Sequence, residues 1–490
     1  MPLVVAKQGD SAEARRLQRM AEQGQLRRIY LGVYTNDLAQ PIEAIVRREL
    51  FSLCARIAPG CVISHRSALE SHHYTVGGNV YLTGPNRRDY ALPGLKLRVA
   101  QGEGPLNSDI RIPTFSGDAF VSSQARALLE NLTQSRGAAA ERRTLGAEGV
   151  EAWLDRLISR DVNGAINQLR DAARAVAKPL GLQKQFRLLD AKIGALLGTR
   201  EAPLRSKVAI ARAAGRPYDD ARATLFASLA SALQRDALQL PLVDARADNA
   251  LQAFVETYFS NYIEGTEFEI EEAHHIVVRG RPMQYREDDS HDILGTYQAI
   301  LESKAKPILA ADFVEFVAQL QAWNRQVIRS RQEKGPGEFK TRINRAGNTV
   351  FVAPDLVLGT LEKGFEIIMS ATTPANRAAL AMFVVAEVHP FTDGNGRTAR
   401  MAMNHFLTQA GLTRVVIATV YRDDYISALK AMSSNAHSLP LLRMLTRAGR
   451  FSRWLDMSSK ERAFAALKGS NALEKSDVSR LAFDDGRPTD

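Results

Sequence analysis

Cysteine is almost missing from this chain of 490 residues: Cys54 and Cys61 are its only thiols. Two thiols build neither a disulfide framework nor a zinc cluster, and such scarcity fits a reducing compartment. No apolar run approaches the ~20 residues that a membrane-spanning helix requires. The opening segment, MPLVVAKQGDSAEARR, lacks the sustained apolar core of a secretory signal. A soluble, cytoplasmic protein without membrane partners is therefore expected. Internal repeats and long low-complexity tracts are also missing.

What is present in excess is positive charge. The formal net charge is +10, with 45% hydrophobic and 24% charged residues. The composition is that of a folded soluble protein, and the length predicts roughly two to four domains. The charge admits polyanionic partners, either nucleic acid or phosphate-bearing ligands, and equally a solvated basic surface.

The first hundred residues mix helical and strand-like patterns. In SAEARRLQRMAEQGQLRRIYLGVYT a helix ends near Gly24 and a short β segment follows. GCVISHRSALESHHY reads as a strand, Ser64 as N-cap, then a short helix. VYLTGPNRRD reads as a strand entering a basic turn. Helices followed by an arginine-bearing hairpin suggest a winged helix over residues 1–104. From EARRLQRMAEQGQLRRIYLGVYT, ISHRSALE and YLTGPNRR, this region resembles the winged-helix domain of AbiEi-type antitoxins, the regulatory halves of toxin–antitoxin pairs. The resemblance implies DNA binding, with His65, Arg66 and Ser67 at the major groove and Arg15, Arg16, Arg27, Arg87 and Arg88 on phosphates. The alternative is a winged helix used for protein contacts. Such regulators often form homodimers.

Residues 105–235 show apolar positions three and four apart, as in EAWLDRLISR and DDARATLFASLASALQRDALQL. They predict a helical connector whose arginines lie on solvated faces. ENLTQSRGAAAERRTLGAEGVE is the expected loop or domain boundary. Helices dominate residues 236–460, interrupted by PGEFKTRINRAGNTVFVAP, which reads as a hairpin. Its edge suits strand addition by a bound chain, or it lies flat on the helices. Residues 461–490 form a charged tail. The fold class expected is thus mainly α: a helical core with a β-hairpin flap, a helical connector and a small α+β winged-helix N-terminal domain.

The strongest chemical signal is HPFTDGNGRTAR, His389 to Arg400. ANRAALAMFVVAEV is apolar at helical spacing and delivers His389 to a loop, since Pro390 cannot continue the helix. Gly394, Asn395 and Gly396 permit a nest of backbone amides, and a helix follows, so the turn is an anion site. Arg397 and Arg400 leave the same helix face and can grip different phosphates. Asp393 can hold a magnesium ion bridging phosphate oxygens. A neutral imidazole at His389 can take a proton from an attacking hydroxyl. Together they describe a nucleotidyl-transfer site, and the lack of Lys-Ser or Lys-Thr after the glycines separates it from a Walker A loop.

HPFTDGNGRTAR resembles the Fic motif at every functional position. The resemblance implies an all-helical protein AMP-transferase using ATP and Mg2+ to modify a protein hydroxyl, the protein's own included. It assigns His389 as base, Asp393 as metal ligand, Gly394, Asn395 and Gly396 as anion hole, and Arg397 and Arg400 as phosphate clamps. PGEFKTRINRAGNTVFVAP resembles the family's target-docking flap, with Thr341, Arg342, Ile343, Asn344, Thr349, Val350 and Phe351 as docking residues. In SNYIEGT, Ser260 and Glu264 lie one helical turn apart and Gly265 suits the helix end. On spacing alone this is a solvated pair before a C-cap. It resembles the inhibitory motif of many Fic proteins, which implies that Glu264 pairs with Arg400. The alternative function is a DNA-binding regulator, or a toxin–antitoxin fusion, in which the Fic core senses nucleotide.

Overall fold

The computed structural model describes residues 3–6, 10–160, 164–244, 248–305 and 310–484. The chain divides into two compact units, Met1–Gly215 and Arg216–Asp490.

In the first unit β1 (Leu3–Val5), β2 (Arg27–Tyr30) and β3 (Val33–Thr35) form a small sheet in the order β1-β3-β2. Helix α1 (Ser11–Glu22) precedes β2; Asp10 caps its first amides, and Gly24 turns the chain out of it at φ +74°. Helices α2 (Ile42–Arg48) and α3 (Leu50–Ile57) lead into β4 (Val62–Ile63), α4 (His65–Leu69), β5 (Asn79–Gly84), β6 (Arg88–Leu92), β7 (Leu95–Gln101), β8 (Ile110–Thr114) and β9 (Gly117–Val121). The last six strands form one sheet, ordered β6-β7-β5-β4-β9-β8. The sequence of β7, LKLRVAQ, alternates strictly: Leu95, Leu97 and Val99 are buried, whereas Lys96, Arg98 and Ala100 face outward. Val62 and Ile63 pair with Phe120 and Val121, so this sheet crosses the expected boundary at residue 104.

Helices α5 (Gln124–Asn131), α6 (Gly146–Ile158), α7 (Ala165–Ala177), α8 (Gln183–Leu196) and α9 (Lys207–Ala213) pack around Leu128, Leu154, Leu189 and Ile193. ENLTQSRGAAAERRTLGAEGVE lies inside this unit, largely as a loop. The expectation that the arginines here are solvated fails at Arg126. Its guanidinium is fully buried between Asp109, Glu130 and the carbonyls of Glu103 and Gly104, with bonds of 2.6–2.8 Å. Burial without such partners would be strongly unfavourable.

The second unit is helical: α10 (Asp220–Arg235), α11 (Asn249–Ile263), α12 (Ile270–Arg279), α13 (Glu287–Ala305), α14 (Phe313–Val327), α15 (Val357–Ser370), α16 (Pro374–Val388), α17 (Asn395–Gln409), α18 (Arg422–Asn435), α19 (Leu439–Trp454) and α20 (Lys460–Gly469). Helix α16 runs through the centre, and Ala378 to Val385 are all buried. Helix α10, expected in the connector, belongs to this unit: Phe226, Leu229 and Leu233 sit in the same core as α16, with Phe226 edge-on to Phe383. Helix α20, expected in the tail, buries Ala463, Phe464 and Leu467 against α11 and α12 residues. Strands β10 (Arg345–Ala346) and β11 (Thr349–Val350) form the predicted hairpin.

Candidate active site

Helix α16 ends where proline requires it, and His389 becomes its C-cap in the left-handed region at φ 52°. That backbone conformation turns the imidazole out of the helix axis, while Phe391 is fully buried and bridged to Phe339. The Nδ1 of His389 lies 3.2 Å from the Ala386 carbonyl. Only a protonated Nδ1 can bond a carbonyl, so Nε2 keeps its lone pair. Burial, reinforced by the Lys340 charge, lowers the His389 pKa to about 4 against the opposing pull of the Ala386 carbonyl, Glu264 and Asp393. The ring is therefore neutral near pH 7.

The loop that follows is braced by side chains. Asn395 accepts from the Phe391 amide and donates to the Phe391 carbonyl, both at 2.8 Å. The side chain expected in the anion hole thus ties the loop instead. Asn324 donates to the Asp393 carbonyl at 2.8 Å and accepts from Gly337 N. Gly394 has φ +76°, and a Cβ there would meet Asn324 at 2.9 Å. Glycine is required at this corner. The first turn of α17 then presents amides that have no intrahelical acceptor.

Arg397 and Arg400 are both buried on α17, and carboxylates hold both. Arg400 donates to Glu264 Oε1 at 2.7 Å, to Ser260 Oγ at 3.0 Å and to the Ser260 carbonyl at 2.8 Å. Glu264 caps α11, and Gly265 at φ +98° lets the chain leave that helix directly afterwards. Although burial alone would raise the Glu264 pKa, Arg400 and Arg397 hold it below the ordinary value, so it is ionised. Its Oε1 lies close over Gly396, where an added Cβ would meet the carboxylate. Arg397 pairs with Asp292 at 2.9 Å, and its Nη1 donates to Asn261 at 3.2 Å.

Asp292 also binds Arg331 at 2.7 Å, and Arg331 reaches to 3.9 Å from Asp393. The Asp393 side chain is one-third exposed, and its Oδ1 accepts from Gly394 N at 2.6 Å. A single exposed carboxylate beside a phosphate nest suits Mg2+, which keeps several waters and borrows substrate oxygens.

The flap stands out from the core: Thr341, Arg342, Ile343 and Val350 are exposed, and Thr349 is partly covered. Its base is anchored by Asn344 to the Phe391 carbonyl at 2.9 Å and by Lys340 to Asn344 and the Val388 carbonyl. Phe351 stacks on His389, with centroids 3.7 Å apart and planes within 10°.

The residues expected to bind DNA lie in the first unit. Arg15, Arg16, Arg87 and Arg88 are exposed, and Arg27 is held by the Asp37 and Gln40 carbonyls. The expected groove-facing residues of α4 are not available: His65 and Ser67 are buried, and Arg66 binds Glu70 and the carbonyls of Ala139, Ala140 and Arg142. The groove-facing expectation comes from the family resemblance, whereas the polar atoms of these residues bond inside the unit.

Reasoning from sequence missed Asp292, Arg331, Asn324 and Lys340. They come from different segments, and no local spacing links them to the motif. Asn261 adjoins Ser260 in SNYIEGT and carried the one available signal.

Residues 315–407 match the Fic/DOC family. The protein adenylyltransferase Fic of Drosophila yakuba is 28% identical over 197 residues, 39% of each chain. The protein adenylyltransferase fic-1 of Caenorhabditis briggsae is 26% identical over 181 residues, 36% of each chain. The chain thus spans well under half the length of these relatives. A Fic-domain-containing signaling protein from Bacteroides thetaiotaomicron is 20% identical, with a TM-score of 0.38 over 52% of this chain and 99% of its own. The residues matched to the Fic/DOC family include the loop His389–Arg400 and α17 as far as Leu407.

Proposed function

We propose that the second unit is a protein AMP-transferase held inactive by its own Glu264. The observation that carries this reading is the convergence of His389, the first turn of α17, Arg397 and Arg400 on one space, with the Glu264 carboxylate lodged against Gly396.

In the reaction, a target hydroxyl oxygen attacks the α-phosphorus of ATP. The new O–P bond forms as the bond from α-phosphorus to the bridging oxygen breaks, and pyrophosphate leaves. The hydroxyl proton passes to Nε2 of His389, whose tautomer is set by Ala386. Amides of the α17 first turn and the two arginines stabilise charge on the phosphates. Asp393 would hold Mg2+, which would neutralise phosphate charge and assist departure of pyrophosphate. The exposed flap presents an unpaired strand edge to the target chain.

Inhibition follows from competition. Arg400 bonded to Glu264 cannot also grip a phosphate, and the carboxylate repels any phosphate approaching Gly396. The test is transfer of label from ATP: Glu264→Gly should gain it and His389→Ala should lack it. Equal labelling of both would sink the reading.

A second reading gives the first unit a DNA-binding role of the AbiEi type, as homodimer or toxin–antitoxin fusion, with the Fic domain as nucleotide sensor. The exposed Arg15, Arg16, Arg87 and Arg88 support it. Salt-sensitive binding to the protein's own promoter, with no label transfer even by Glu264→Gly, would favour this reading over the first.

A further inference from the structure

In the first unit a cavity of about 690 Å³ lies between β5–β7 and the segment 134–143. Four arginines line it: Arg87, Arg98, Arg136 and Arg143. Arg98 is the outward residue at the middle of β7. Its cross-strand partners are Tyr81 on β5 and Asp89 on β6, so the three share one face of the sheet.

The acidic residues at this cavity are already committed. Asp89 pairs with Lys96 at 3.2 Å. Glu141 bonds Thr75, Asn79 and, at 2.8 Å, the Gly77 amide. Arg66 further fixes the wall by binding the carbonyls of Ala139, Ala140 and Arg142. Among the described residues none of the four arginines forms an ion pair or a side-chain hydrogen bond, and the Nε atoms of Arg98 and Arg143 are buried without an acceptor. Buried guanidinium donors are ordinarily satisfied. Four guanidinium forks around one concavity match the geometry of phosphate oxygens.

We propose that this cavity is a binding site for a small diphosphate or polyphosphate ligand. Its volume falls in the range that encloses small molecules, about 300–1,000 Å³. Two of its guanidiniums have withdrawn their Nε from solvent, whereas a duplex backbone is met by an exposed basic stripe. The site is built within the first unit and is independent of the Fic motif.

The test is calorimetric titration of the full chain with inorganic pyrophosphate. Wild type should show a site that Arg98→Gln with Arg143→Gln weakens by about tenfold or more, and that weakens with added salt. Arg87→Gln with Arg136→Gln, both at exposed positions, should weaken the same site and keeps the test decisive if the deeper pair does not fold. Any pyrophosphate bound at the Fic motif is untouched by these variants. Unchanged pyrophosphate binding in both double variants overturns the proposal. So does a result in which only a labelled DNA duplex responds to them, which would make this face a nucleic-acid contact.

Discussion

Nη2 of Arg400 and Oε1 of Glu264 stand 2.7 Å apart across 136 positions of sequence. The same carboxylate lies over Gly396, so one side chain meets both the guanidinium and the first turn of α17 that the proposed reaction needs for phosphate. Replacing it by an amide keeps the shape and removes the charge. Glu264→Gln should therefore bind ATP on the order of tenfold more tightly than wild type, by calorimetry. Unaltered affinity would separate the ion pair from inhibition.

The pH profile reports on the base. Because burial lowers His389 to about 4, the neutral form persists well below its ordinary value of 6.5. Glu264 acts to raise that pKa, so loss of its charge by itself pulls the titration down. Initial transfer rates of Glu264→Gly should thus show no acid limb at 6.5 and should fall only as pH approaches 4. A half-maximal rate near 6.5 would place the imidazole in water.

Phe351 covers one face of the His389 ring. Stacking of this kind fixes the imidazole plane and shields that face from water. Phe351→Ala should lower transfer by Glu264→Gly about tenfold or more while leaving ATP affinity unchanged, since its ring stacks on the base. A loss confined to ATP affinity would contradict its placement over the base.

His65 offers a stability test in the first unit. Burial, with Arg143 and Arg126 nearby, lowers its pKa to about 3, against 6.5 in the unfolded chain. Between those values the unfolded chain binds the extra proton, so stability rises with pH and is lost on acidification. Asparagine tolerates the positive φ of 54° at this position. His65→Asn should show a shallower fall of thermal midpoint from pH 6.5 to 4 than wild type, by scanning calorimetry.

How much of this was readable in sequence depended on range. The end of α16 at His389, the turn at Gly394 and the arginine spacing on α17 follow from local rules: proline, glycine and helical period. The Ser260–Glu264 pair was visible as a turn of helix, but its meeting with Arg400 came from family resemblance. Helix α10 read as connector because an amphipathic pattern does not say which core receives it. Resemblance assigns the α4 residues to a groove, and their actual partners, Glu130 for the His65 amide and the Tyr81 amide for Ser67, lie outside the helix. Asp292 was hidden for the same reason: one carboxylate among several in EDDSHD has no local mark of the two arginines it holds.

The central claim is that removing Glu264 releases a His389-dependent AMP transfer. Its most direct test is intact-mass spectrometry of purified protein after incubation with ATP and Mg2+. Glu264→Gly should gain the mass of one AMP, wild type little, and Glu264→Gly with His389→Ala none. Glu264→Gly that stays at its unmodified mass, when offered ATP and a lysate of potential targets that also stay unmodified, would contradict it.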